Sequence, residues 1–542
     1  MFGLLLFCRR SVVGLSLFGR RRVASPVPAG RMLFSFPAAD TWFSAGSINV
    51  RRVCAAADSA KNASNNGMLV KTGNPFLQIK HDVTEMGVFG LGKIIVQALL
   101  VGSATGAVVG LFRHLNDAIT LWLVGAVGQR GLADHLMVLA VFGGLLLLAV
   151  ISVLLLRAEP LISGSGIPQV ELMVKGKLRM NWLRVLLCKF AGALAALTGG
   201  LSVGREGPCI MMGASLGVGV GTLWKDSTAA NNPRYLVGGS AAGLAAAFGA
   251  PLAGMCFAFE EMKTPLRAPM VITCAITAFA AIYVMQGIFG FGLVFPFGVH
   301  SMLPWREWWL VPVAGVVMGG LGVLYNTVLI RMTLWADKTR LLPLHLRVVI
   351  PFMCAGLFLY FYPTVLAGFG IGALDLARLS IPLTALLLLL GVKMLFSCAS
   401  FATGVAGGLL MPILFMGGMA GACLASTMLL FDLVAPDRAA TILILCMAGL
   451  FGSSVRAPLT GAFLMLEMTD CYHNMVFVIL AAYIAAFVAD KLGNEPVYDS
   501  LRRRCVIQGG IRMPRRKPRR PQGPQGGAGG AMAKRAFSQP GT

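Results

Sequence analysis

Gly204-Arg205-Glu206-Gly207-Pro208 sets a base and an acid side by side between helix-breaking residues, with long apolar stretches on either side. A carboxylate held at membrane depth is costly, and where one persists it faces a polar cavity and serves a function. Glycine before the pair and Gly-Pro after it predict that the backbone opens here and a new helix begins. The open N-terminus of a helix presents free N–H groups and the positive end of the macrodipole, so it attracts anions. Glu206 is therefore a candidate plug: its carboxylate can occupy such an anion site, or vacate it when protonated. The alternative is an Arg205–Glu206 salt bridge that only fixes a bend.

Three other stretches carry chemistry of the same kind. Gly164-Ser165-Gly166-Ile167-Pro168 puts a hydroxyl beside flexible backbone, with a proline suited to the first turn of a helix. Gly407-Gly408-Leu409-Leu410-Met411-Pro412 has the makings of another helix start, and Tyr472 follows the run ending Glu467-Met468-Thr469-Asp470. If three helix starts aim at one centre, their N–H groups and the hydroxyls of Ser165 and Tyr472 can replace an anion's hydration without a fixed full charge. The anion then binds and can still leave. Taken singly, Ser165 reads as a loop serine and Tyr472 as an interfacial tyrosine.

These stretches sit inside a repeat. Gly204, Pro208, Gly213 and Gly217 recur as Gly408, Pro412, Gly417 and Gly421, each offset by 204. Ala250-Pro251-Leu252-Ala253-Gly254, leading to Glu260, recurs as Ala457-Pro458-Leu459-Thr460-Gly461, leading to Glu467, offset by 207. Matched, Gly/Pro-interrupted segments in two halves point to a transporter-like core with its site where the repeats meet.

The elements that must position these residues are apolar helices. Of 542 residues, 57% are hydrophobic and 13% charged, with a mean hydropathy of +0.77. That excludes an ordinary soluble domain, whose charged share is about 25%, and identifies a polytopic membrane protein. Apolar segments run over about 91–112, 136–156, 183–200, 236–259, 268–290, 308–331, 346–366, 381–400, 408–432, 440–466 and 475–490. Several are interrupted or too short to cross about 30 Å of hydrocarbon, which predicts tilted and re-entrant helices lining protein or a water-filled cavity. The +24 net charge belongs to the tails: residues 1–80 hold 11 Lys/Arg against Asp40 and Asp58, and 501–542 hold 11 with no acid. Basic flanks favour the cytoplasmic side beside anionic headgroups, so both termini are expected there. RNA binding by the tail is the weaker reading. Twelve cysteines with no two within four residues, and six histidines without ligand spacing, predict no metal site and no redox pair.

The motifs GSGIP, GREGP, AAAFGAPLAG with Glu260-Glu261, and RAPLTG with Leu466-Glu467-Met468 and a tyrosine beyond resemble, in order, the CLC family of chloride channels and proton/chloride antiporters. The resemblance covers about 81–505. It implies an all-α membrane fold of two inverted repeats (about 81–290 and 300–505), a homodimer, and one pathway per subunit. It also implies that Ser165, Tyr472 and the Leu409 and Leu410 amides hold a central chloride, that backbone around Arg205, Glu206 and Gly207 forms an outer site, and that Glu206 is the gate. Arg205 then supports the field and the loop more than it touches the ion. Glu261 stands where family antiporters carry an internal proton-transfer glutamate. Glu260 and Glu467 are counterparts and read as structural, whereas the counterpart of Glu261 is Met468, and that asymmetry suggests function. An ordinary rim carboxylate is the plainer reading.

Two departures stand out. Leu410 occupies a place where an aromatic is common, and Met411 one where a small residue is. Only 37 residues follow Cys505, which implies no CBS domains and a prokaryotic-type protein. Residues 1–80 read as a basic extension, with a transit peptide, a bacterial tail and a misplaced start all open; 506–542 read as an Arg/Pro/Gly-rich disordered tail. Gly213-Ala214-Ser215-Leu216-Gly217 matches a hydrolase elbow but lies in an apolar helix without a strand before it. The Gly87–Lys93 imitation of a phosphate loop ends in Ile94 instead of Ser/Thr. The expected function is proton-coupled chloride exchange in a bacterial inner membrane, with no cofactor and no enzymatic activity; a passive, voltage- or pH-gated chloride channel is the alternative.

Overall fold

The computed structural model describes residues 75–508 apart from 131–134, 227–231, 291, 300–301, 339–342 and 362–375. Most of the basic extension and the tail from 509 onward lie outside the described residues, as do the boundaries drawn for them. Among the described residues sixteen α-helices follow one another: α1 Pro75–Arg130, α2 His135–Ala158, α3 Ile167–Val174, α4 Trp182–Thr198, α5 Glu206–Leu223, α6 Pro233–Phe248, α7 Pro251–Glu260 and α8 Ala268–Phe289, then α9 Leu310–Lys338, α10 Leu344–Phe361, α11 Leu383–Ala402, α12 Leu410–Leu430, α13 Ala439–Val455, α14 Pro458–Thr469, α15 Met475–Lys491 and α16 Val497–Gln508. Among the described residues the only β pairing consists of two isolated bridges. Eight segments among the described residues are long and apolar enough to cross a membrane. One face of α2 points outward, with Leu136, Leu139, Leu147 and Leu154 exposed while Leu145 and Leu156 are buried, as expected where lipid is the solvent on one side.

The breaks fall where the residues require them. The apolar run 236–259 forms two helices, because Gly249 adopts φ +71° to end α6 and Pro251 starts α7. Its counterpart 440–466 divides likewise, with Arg456 in the left-handed region (φ +68°) and Pro458 opening α14. The short α3 and the polar α16 lie outside every predicted apolar segment.

The two halves are related by a two-fold axis. Gly204 donates to the Gly408 carbonyl at 2.7 Å and Gly408 donates back to Gly204 at 2.7 Å, so two counterparts pair with each other in an antiparallel bridge. Glu467 of α14 accepts from the Leu252 and Ala253 amides at the start of α7, each at 2.9 Å. Reciprocally, Glu260 of α7 accepts from the Leu459 and Thr460 amides at the start of α14, at 3.0 and 2.6 Å. Such mutual contacts are the signature of two-fold symmetry. They also give both glutamates the structural role expected of them, as caps on the partner repeat's helix.

The repeated glycines set how closely helices approach. A Cβ on Gly213 would lie 2.1 Å from the Gly239 carbonyl oxygen, and one on Gly217 would lie 2.1 Å from the Tyr235 oxygen; α5 and α6 thus pack backbone against backbone. Gly417 and Gly421 do the same for α12 against α13, meeting Met447 Cα at 2.7 Å and Leu443 Cα at 2.9 Å. Ser215, between the first two, donates to the Met211 carbonyl of its own helix at 2.8 Å, so the hydrolase-like spacing is helix packing. Gly213→Ala should therefore cost about 1–3 kcal/mol by overpacking, seen as a lowered thermal transition in detergent. Gly287→Ala, on α8 with nothing within 4 Å of the new carbon, should leave that transition unchanged.

Candidate functional site

Three helix starts are stitched together by their glycine loops. Besides the Gly204–Gly408 bridge, Gly164 donates to the Gly404 and Val405 carbonyls at 3.2 and 3.1 Å, and Gly407 donates to Gly164 at 3.1 Å. These bonds bring the N-termini of α3, α5 and α12 to one place. Gly207 lies so near the first of them that a Cβ there would sit 2.5 Å from the Ser165 carbonyl oxygen.

Glu206, fully buried, turns its carboxylate onto the start of α12. Its Oε1 accepts from the Leu410 amide at 2.6 Å, and the next amide, of Met411, lies close by. The glycines make room: a Cβ on Gly204 or Gly408 would lie 2.2 or 2.1 Å from the carboxylate oxygens. Arg205 goes elsewhere. Its guanidinium reaches Asp117 on α1 at 3.9 Å and lies over the Phe248 ring at 5.8 Å, so the pair is not a salt bridge fixing a bend. Leu409, the residue capping α12, is buried beside it.

Ser165 is buried, and its Oγ accepts from the Ile167 amide at 3.1 Å, which leaves its O–H free to donate. The tyrosine at its side is not Tyr472. That residue follows α14 in a short 3-10 turn, past the end where Glu467 caps α7, and is 45% exposed. Tyr498 of α16 is 1% exposed instead and brings its hydroxyl beside the Ser165 side chain; that hydroxyl has no partner in hydrogen-bonding geometry. No local signal separates the two tyrosines, since each follows an apolar run. Folding decides, because only α16 packs back on α3.

Two buried cations went unnoticed in the sequence although the repeat offset relates them. Lys189 of α4, with no exposed surface, donates to the Ile162 and Gly164 carbonyls at 2.7 and 2.6 Å and so holds the loop carrying Ser165. Lys393 of α11, 204 positions on, is also buried and lies 5.3 Å over the Phe415 ring. Neither pairs with a carboxylate among the described residues.

Glu261 lies just past α7, outside the eight apolar spans, and is 5% exposed. Around it a charge network joins three elements: Arg502 contacts Glu171 and lies 3.0 Å from Asp499, Asp499 lies 2.8 Å from Lys263, and Lys175 also contacts Glu171. Glu261 itself makes no ion pair among the described residues. Burial, and next the nearby Glu171, push its carboxyl up to about 8. Tyr498 lies within electrostatic reach of both Glu206 and Glu261.

The family described as "Voltage gated chloride channel" matches residues 144–490. Curated relatives include the H(+)/Cl(-) exchange transporter ClcA of Salmonella paratyphi A, 31% identical over 76% of this chain and 88% of the relative. The protein of the same description from Vibrio campbellii is 29% identical over 78% and 91%. Among solved structures, a slow cyanobacterial Cl-/H+ antiporter superposes with a TM-score of 0.72 at 27% identity, covering 77% of this chain and 99% of that one. A eukaryotic CLC transporter shares the fold at a TM-score of 0.63 and 19% identity, over 76% of this chain and 74% of the other. Tyr498 lies beyond the stretch that the family matches.

The two kinds of glutamate should respond oppositely to neutralisation. Glu467→Gln leaves one of two buried amides without an acceptor, a loss of about 1–3 kcal/mol, whereas Glu261→Gln relieves a buried, unpaired acid and should not destabilise. An acid raised from 4.5 to about 8 binds its proton more tightly folded than unfolded, so its contribution to stability declines as pH rises through that window. Thermal unfolding followed across pH 4.5 to 8 should show a steeper decline for the wild type than for Glu261→Gln.

Proposed function

Since this chain belongs to the voltage gated chloride channel family, we propose that it is a proton-coupled chloride exchanger in which Glu206 is the gate and Glu261 the internal proton-transfer group. The observation that carries this reading is the seat of Glu206: its carboxylate holds the Leu410 amide, the donor that a permeating anion would use. Carboxylate and chloride then compete for one set of N–H groups. A proton on Glu206 removes the charge, weakens the charge-assisted bonds and lets chloride take the amides; deprotonation returns the carboxylate. Chloride is further held by the hydroxyls of Ser165 and Tyr498, with Tyr498 taking the role first expected of Tyr472, and by backbone at Leu409, Leu410 and Gly207. Arg205 shapes the field from its place against Asp117. Glu261, enclosed and high in proton affinity, loads protons from the other side.

The chain is a multi-pass integral membrane protein, a transporter by family rather than an enzyme. We infer a homodimer in a bacterial inner membrane, one pathway per subunit, both termini cytoplasmic, and a transport unit of about 81–505 flanked by basic extensions. The bacterial exchangers it is similar to and the basic flanks support this. Chloride, protons and lipid are the expected partners, with no cofactor.

Reconstituted in liposomes, the wild type should drive protons uphill on a chloride gradient. Glu261→Gln should abolish proton movement and spare chloride flux, and Glu206→Ala should uncouple the two and leave a passive leak. Chloride flux without proton flux in the wild type would instead identify a passive channel. Equilibrium chloride binding separates the tyrosines: Tyr498→Ala should weaken it by about tenfold, the worth of a hydrogen bond of about 1.4 kcal/mol, while Tyr472→Ala leaves it within about twofold.

A further inference from the structure

α9 contributes a buried tyrosine, Tyr325, that the mechanism above does not use. It is 1% exposed, among the largest fully enclosed side chains of the protein. Its hydroxyl has no partner in hydrogen-bonding geometry. Such a hydroxyl is destabilising, and phenylalanine would fill the same volume without that cost.

The surroundings give the hydroxyl a purpose. It lies beside the Ser397 side chain of α11 and within electrostatic reach of Glu206 and Tyr498. Ser397 donates to the Ser202 carbonyl at 3.3 Å, two residues before the Gly204–Gly408 bridge. Four buried polar atoms of these residues have no partner in hydrogen-bonding geometry: the hydroxyls of Tyr325, Tyr498 and Ser202, and Oε2 of Glu206. Three are O–H donors and the fourth belongs to the carboxylate that sits on the Leu410 amide. Neutral donors around a movable carboxylate suit a small monoanion, which they can hold without the full charge that would trap it.

We propose that the Tyr325 hydroxyl donates a hydrogen bond to chloride as it passes Glu206, making Tyr325 a further anion-binding residue of the pathway beside Ser165 and Tyr498. The assignment rests on the exchange reading. It adds a donor from α9, an element outside the glycine loops of both repeats.

The test is Tyr325→Phe in the full chain, which deletes one oxygen and keeps the ring. In proteoliposomes, flux measured against chloride concentration should show the KM for chloride raised about tenfold, the worth of one hydrogen bond donated to an anion. The chloride-to-proton ratio should be kept, and the thermal transition should stay at or above that of the wild type. An unchanged chloride dependence would overturn the assignment and leave a merely buried hydroxyl. So would loss of proton flux at unchanged chloride affinity, which would put the hydroxyl on the proton path, or a collapsed thermal transition, which would make it structural. The two readings fail separately: a wild type that moves chloride without protons removes the exchange mechanism, whereas full exchange with an indistinguishable Tyr325→Phe removes only the role of Tyr325.

Discussion

The bond between the Glu206 carboxylate and the Leu410 amide, at 2.6 Å, is the interaction on which the rest of the site depends. A fully buried carboxylate is tolerated only where donors replace its hydration. Here the donors are the first amides of α12, which no residue within that helix can satisfy. The approach requires that neither Gly204 nor Gly408 carry a side chain, since a Cβ at either would fall within 2.3 Å of a carboxylate oxygen. It also requires the loops to be fixed, and the mutual Gly204–Gly408 bonds with the Lys189 contact to Gly164 supply that.

Symmetry explains how the site is built, and its violation explains what the site can do. At the repeat offset of 204 the counterpart of Glu206 is Leu410 itself, so one repeat contributes a carboxylate and the other, at the same structural place, a bare amide. Arg205 and Leu409 differ in the same way. Glu260 and Glu467, by contrast, keep the symmetry and cap each other's repeat. Residues that obey the two-fold hold the halves together. Glu261, whose counterpart is Met468, breaks it, as Glu206 does.

On the other side of the site the polar α16 acts as a wedge. Arg502 ties it to Glu171 on α3, and Asp499 ties it to Lys263 beyond α7. Glu171 is buried, so this pairing is a constraint: loss of both its basic partners, Arg502 and Lys175, would leave an uncompensated charge. The network fixes α16, which holds Tyr498 beside Ser165, and it links the helix that follows the serine loop to the surroundings of the second acid.

The sequence determined the membrane class, the helix starts at the three glycine loops, the repeat, and the structural role of the paired glutamates. Composition, proline and glycine positions, and a constant offset are local or periodic properties, legible without coordinates. Glu206 was identifiable for the same reason, since an acid between helix breakers in an apolar stretch has few uses. Only the tertiary structure decided that Arg205 faces Asp117 rather than its neighbour, that one apolar run at 236–259 is two helices, and that Tyr498 rather than Tyr472 stands beside Ser165. It alone put the Tyr325 side chain of α9 within electrostatic reach of Glu206, 119 residues away in the chain. A single tyrosine carries no mark of its destination, because what lies near its hydroxyl depends on how distant helices fold back on one another, and that packing has no period in the sequence.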